Sequence, residues 1–315
     1  MAGFKLNWSS AKNYLYFYRR RIAWNTLGAT VYLGICKRAR GWENETLRMG
    51  VAGSISHGTV EAIFHFVDTV NIKAKANDAE SHTTSQMVRK IYYSEGVLGF
   101  GRGIGAAVYG NYTAGFLYFI IYKWLKTNIP ELGGFKNLLA GMLAESSAII
   151  IKFPFDLIKC RLQSVNYIFK YADWTHGLRV EYKKNGVKGL YSGAFPYLLT
   201  YTTFTALQFS IYEWILIQSK RRVENFAEWE FYLNMVAGCV GGGAAAAVTN
   251  GLEAITVQKQ TQPEAKLMHL IHSQGWELMT KGVTARVGYN AVQSIVLFNL
   301  VKYIGKVFDV QLEDD

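Results

Sequence analysis

The chain has 315 residues, half of them apolar and 15% aromatic, with 30 glycines, four prolines and a formal net charge of +11. This is too apolar and glycine-rich for an average soluble domain. A mean hydropathy only slightly above zero also excludes a plain bundle of lipid-facing helices and fits amphipathic membrane helices around a wet cavity.

Eight basic residues precede Glu43, the first acid of the chain. This acid-free, arginine-bearing start is similar to a mitochondrial targeting segment. Ile22–Cys36 is apolar but too short to span a bilayer. Residues 1–46 are therefore read as a basic extension, an ordered arm lying on an anionic membrane surface or against a partner.

Beyond it the chain repeats itself. Gly103, Gly193 and Gly282 recur at intervals of 90 and 89 residues, and Phe119, Phe209 and Phe298 keep the same two intervals. Asp68, Asp156 and Glu253 form a third series. Three repeats follow, over 47–129, 130–225 and 226–315. Each holds a long helix, a short amphipathic helix and a second long helix. The six long spans are expected near Leu47–Lys75, Gly103–Lys126, Phe135–Gln163, Ala194–Ser219, Glu230–Gln260 and Val283–Phe308, each long enough to cross a bilayer.

The second repeat carries the most specific motif. Pro154 to Gln163 reads P-F-D-L-I-K-C-R-L-Q, and Gly186 to Gly193 follows as G-V-K-G-L-Y-S-G. This resembles the signature of the mitochondrial carrier family, P-x-D/E-x-x-K/R-x-R followed by D/E-G-x-x-x-x-aromatic-K/R-G. The resemblance covers roughly residues 47 to 308. It implies an all-α membrane protein of the mitochondrial inner membrane, multi-pass, with six tilted helices about a threefold pseudo-axis and short matrix-side helices.

The same resemblance implies two gates. In the family, the acid of each odd-numbered long helix pairs with the base of the next, closing the matrix side. Here the acids are Asp68, Asp156 and Glu253, whereas the base positions hold Asn71, Lys159 and Thr256. Only Asp68–Lys159 is expected to form. The proline positions hold Phe66, Pro154 and Gly251, so two of three kinks lose their usual cause. At the opposite gate the acid-to-base pairing gives Lys123 with Leu216, Glu213 with Gly305 and Lys302 with Lys126, none of them attractive.

Helix packing departs from the family as well. The third repeat keeps the small pair Gly238 and Gly242, but the equivalents are Gly53 with His57 and Gly141 with Glu145. His57 and Glu145 are read either as an intramembrane polar site, with Glu61 a turn away, or as groups that hydrogen-bond each other, a neighbouring helix or a partner. The family implies solute contacts at Asn111, Thr200, Tyr201 and Asn290, with Arg286 the nearest cation. Their neutrality disfavours nucleotides, phosphate and dicarboxylates, and Glu61 suits a cationic or zwitterionic solute. The family also binds cardiolipin where even-numbered helices begin, which implies structural cardiolipin at Gly103, Gly193 and Gly282.

No other chemistry competes. The six histidines make no metal-binding spacing, the cysteines (Cys36, Cys160, Cys239) no redox or metal motif, and Gly241–Gly243 lacks the lysine of a phosphate loop. No metal, cofactor, nucleic acid or catalytic residue is expected. The broken gates point to a carrier fold that has lost transport and serves as a structural subunit or adaptor of a multi-subunit inner-membrane complex. The alternative is an active carrier exchanging a small neutral or cationic metabolite.

Overall fold

The computed structural model describes residues 41–76, 83–130, 134–164 and 169–310, together with positions 34, 38 and 39. Most of the basic N-terminal extension lies outside the described residues. Everything below concerns the unit Glu45–Asp315.

Six long helical stretches dominate this unit. Helix α1 spans Glu45–Ala76, and the short α2 (Thr84–Glu95) and a 3-10 turn (Val97–Gly101) lead into α3 (Ile104–Asn128). The second repeat supplies α4 (Gly134–Ser164), the short α5 (Trp174–Leu190) and α6 (Ala194–Arg222). In the third, α7 (Phe226–Val248) and α8 (Asn250–Thr261) are followed by α9 (Leu267–Gln274), α10 (Glu277–Thr280) and α11 (Val283–Val307). Each long helix packs against its sequence neighbour, and α11 returns against α1, so the six stretches close a ring. Two helical regions, Val97–Asn128 and Phe226–Val248, are long and apolar enough by composition to cross a membrane. The other long helices dilute their hydropathy with inward-facing charges.

Glycine geometry sets the joints. The described glycines with positive φ are six: Gly96 and Gly103, Gly186 and Gly193, Gly275 and Gly282, one pair per repeat and seven residues apart in each. Gly103, Gly193 and Gly282 are left-handed N-caps of α3, α6 and α11. Gly186 (φ 63°, ψ −157°) breaks α5 inside its span, in a region of backbone space that is nearly closed to other residues.

The span expected as one helix over Glu230–Gln260 is two. It breaks at Thr249 (φ −91°, ψ 7°), two residues before Gly251. There Asn250 turns its amide onto the carbonyls of Met279 and Lys281 at 2.8 and 3.0 Å. A Cβ at Gly251 would lie 2.5 Å from Met279 Sδ. Close approach of α10 therefore does what proline does elsewhere. Helix α1 runs through Phe66 without a break.

The residue five positions after each gate acid ties its long helix to the short one. Lys73 pairs with Glu95, which also takes Arg102 Nε at 2.7 Å. Gln258 donates to Gln274 at 2.7 Å. Arg161 Nη1 lies 2.7 Å from Glu181 Oε2, while Tyr171 and Asn185 donate to the same carboxylate at 3.0 and 2.7 Å. Burial raises the pKa of Glu181, but the Asn185 hydrogen bond and the Arg161 charge outweigh it and leave the group below the usual carboxylate value.

Candidate functional site: a central cavity closed by ion pairs

The ring encloses a cavity of about 760 Å³. At one end its wall includes the exposed Lys220 and the half-exposed Glu230. At the other it ends on Asp68, Asp156, Lys159 and Glu253, all buried. Helical periodicity explains the lining. On α4, Glu145, Lys152, Asp156 and Lys159 follow at intervals of seven, four and three residues and so share one face.

The closed end holds more charge pairs than the signature positions offer. Lys159 Nζ lies 3.1 Å from Asp68 Oδ2, 3.5 Å from Glu61 Oε1 and 3.6 Å from Asp156 Oδ1. Asp156 also accepts from the Tyr197 hydroxyl and has Lys152 at 3.8 Å. Thr256, at a base position, bonds instead with Thr200 at 3.0 Å. The expectation that Glu253 meets only Asn71 is corrected. Asn71 does donate to it at 3.4 Å, but Lys75 pairs with it directly and Arg286 Nε lies 3.0 Å away. Four acids (Glu61, Asp68, Asp156, Glu253) thus face four cations (Lys75, Lys152, Lys159, Arg286).

Lys75 was missed because the base sits one helical turn beyond its signature position. It stands seven residues after Asp68, where the other repeats place Gln163 and Gln260. From that register Gln163 reaches across to Asp68 at 3.2 Å and to Thr69 at 2.9 Å. Lys75 makes the same reach from the first repeat to Glu253 in the third. The third member, Gln260, leaves its buried amide nitrogen without a partner among the described residues.

The opposite end is corrected similarly. Lys123 pairs with Glu45 at 3.1 Å and Lys302 with Glu230 at 3.2 Å. Both acids lie near the starts of long helices, Glu45 at the first residue of α1 and Glu230 at the fifth of α7, outside the motif from which the pairing was read.

The expected solute contacts divide. Asn111, Tyr201, Asn290, Arg286 and Glu61 line the cavity, but Thr200 does not; its hydroxyl is held by Thr256 and the Pro196 carbonyl. Asn111 and Asn290 bond to carbonyls one turn back in their own helices, at 2.9 Å each. Glu61 belongs to the ion-pair layer through Lys159, and Arg286 to Glu253 and the Thr249 hydroxyl at 2.9 Å. Glu61, His65 and Asp68 are close enough for one ion, but Lys159 already supplies the cation there.

His57 and Glu145 do not hydrogen-bond each other. Both line the cavity, and no hydrogen bond joins either to another described residue. His57 fits because α3 supplies the missing small residue: a Cβ at Gly115 would lie 3.1 Å from His57 Cβ. Its ring packs on Phe119 (5.6 Å, edge-on) and Tyr118 (6.1 Å).

The N-caps Gly103, Gly193 and Gly282 have no side-chain cap, so the first N–H groups of α3, α6 and α11 take no partner from a capping side chain.

A family model described as mitochondrial carrier protein matches residues 43–133 and 130–220. Mitochondrial carrier protein CoAc2 of Zea mays is 26% identical over 76% of this chain and 79% of its own. S-adenosylmethionine carrier 1, chloroplastic/mitochondrial, of Arabidopsis thaliana is 24% identical over 80% and 76%. A mitochondrial glutathione transporter of Rattus norvegicus is 26% identical over 71% and 67%.

Proposed function

Since the chain belongs to the mitochondrial carrier family, whose members are transporters and not enzymes, we propose that it is an active carrier. It exchanges a small neutral or cationic metabolite across the mitochondrial inner membrane. One observation carries this reading: a cavity of about 760 Å³, roomy enough for a metabolite, ends on a layer of buried ion pairs drawn from all three repeats. A layer of this kind that can close and open is what a carrier needs. It stabilises the closed end while intact, and a solute that draws the helices together at mid-cavity offsets its opening.

The adaptor reading rested on the broken gates, together with the basic arm and the polar substitutions in the long helices. Lys75 and Arg286 on Glu253, with Tyr197 and Lys152 on Asp156, weaken the first of these supports. The named solutes of the relatives, S-adenosylmethionine and glutathione, are metabolites of a size this cavity accommodates. Cardiolipin at the uncapped starts of α3, α6 and α11 belongs to the same reading, because uncapped N–H groups suit a phosphate.

The test is counter-exchange by the purified chain in liposomes against a panel of labelled metabolites. Saturable uptake that requires internal solute is expected. A chain that exchanges nothing and co-purifies in fixed ratio with a larger complex would return the adaptor reading.

A further inference from the structure

Glu145 has no place in the ion-pair layer. It faces the cavity on α4 seven residues before Lys152 and eleven before Asp156. Among the described residues it makes no hydrogen bond and no ion pair, whereas Glu61, Asp68, Asp156 and Glu253 each have a cation within 4 Å. The lysine one face-repeat away makes its ion pair elsewhere: Lys152 lies 3.8 Å from Asp156 and over the Tyr201 ring at 5.3 Å, and bears on Glu145 only through its longer-range charge. The surrounding wall is aromatic. Tyr118 and Tyr122 stack at 5.9 Å with planes 4° apart, the His57 ring leans on Tyr118, and all three line the cavity. The Tyr118 hydroxyl reaches within 3.8 Å of where a Cβ at Gly141 would stand, one turn from Glu145.

A carboxylate beside aromatic faces is costly unless something positive offsets its desolvation. An anionic occupant would meet repulsion there. A divalent metal ion needs several oxygen ligands, and Glu145 offers its carboxylate alone. An organic cation satisfies both parts of the wall, with its charge against the carboxylate and its carbon-borne surface against the aromatic lining.

We propose that Glu145, Tyr118 and Tyr122 form the seat of an organic monocation, an onium or substituted ammonium group, in the cavity. Calling that cation the transported solute rests on the carrier reading above; its binding does not.

Two ligand pairs test charge at constant shape. S-adenosylmethionine and S-adenosylhomocysteine differ by one methyl and one positive charge, and choline and 3,3-dimethylbutanol differ by nitrogen for carbon. Ligand-induced thermal stabilisation of the purified full chain is expected to favour the charged member of at least one pair by about tenfold in affinity. Glu145→Gln is expected to abolish that preference and Glu145→Asp to retain part of it. No preference in either pair, or one that survives Glu145→Gln, overturns the proposal. Should Glu145→Gln fail to fold, the wild-type comparison and Glu145→Asp decide the matter, since a preference undiminished in Glu145→Asp also counts against it. Charge-selective binding without liposome exchange defeats the carrier reading and leaves the seat standing. Exchange of a neutral solute with no charge preference does the reverse.

Discussion

Lys75 ties the first repeat to the third at the closed end. It is fully buried and pairs with Glu253, which shares it with Arg286 and Asn71. Removing Lys75 leaves Glu253 with Arg286 as its one cation among the described residues, so Lys75→Met is expected to cost about 2 kcal/mol in thermal or chemical unfolding. Adding Asn71→Lys should recover much of the loss, because Asn71 already reaches the same carboxylate. If the double variant unfolds like the single one, the charge on Glu253 is not what Lys75 serves. Gly186 isolates a backbone effect in the same way. Nothing lies within 4 Å of where its Cβ would stand, yet its φ is +63°. Gly186→Ala is therefore expected to destabilise by about 1–3 kcal/mol from strain alone, and an unchanged unfolding midpoint would contradict this.

At the scale of elements, buried polar ties help hold the short helices to the ends of the long ones. The Arg161–Glu181 contact fixes α5 to the end of α4. Because the folded-state pKa of Glu181 is lowered, its contribution is complete above the unfolded value and is lost as pH falls through the folded one. Stability measured down through the carboxylate range should therefore fall more steeply in the wild type than in Glu181→Gln, and parallel curves would show that the pair contributes nothing. Much of this level was legible in the sequence. The glycine series marked the helix starts because left-handed caps admit few other residues, and the boundaries of α1, α3, α4, α6 and α11 fall within a few residues of expectation. The break at Thr249 was not legible, since it arises from the approach of Met279 from a distant helix. The gates were misread for a related reason. A signature position identifies where a base usually stands, whereas a flexible lysine one turn further along reaches the same carboxylate.

Across the whole unit, the ring of six long stretches converts these local ties into a device with two ends. One end is sealed by pairs that cross repeat boundaries, Lys159 to Asp68 and Lys75 to Glu253. The other carries Lys302–Glu230 at its rim, with side chains 27% and 47% exposed, where a pair is worth little. That asymmetry accounts for a cavity open at one end and closed at the other, and the proposed carrier activity makes the sealed layer its barrier. Alternating access can be read directly from a cysteine placed at Asn290 in a chain whose own cysteines are serine, labelled in liposomes by a membrane-impermeant maleimide from each side. The resting protein should label from the open end alone, and labelling from the sealed end should appear when solute is supplied or when Lys75→Met weakens the layer. Labelling confined to the open end under all three conditions would contradict a carrier and leave a closed, static fold.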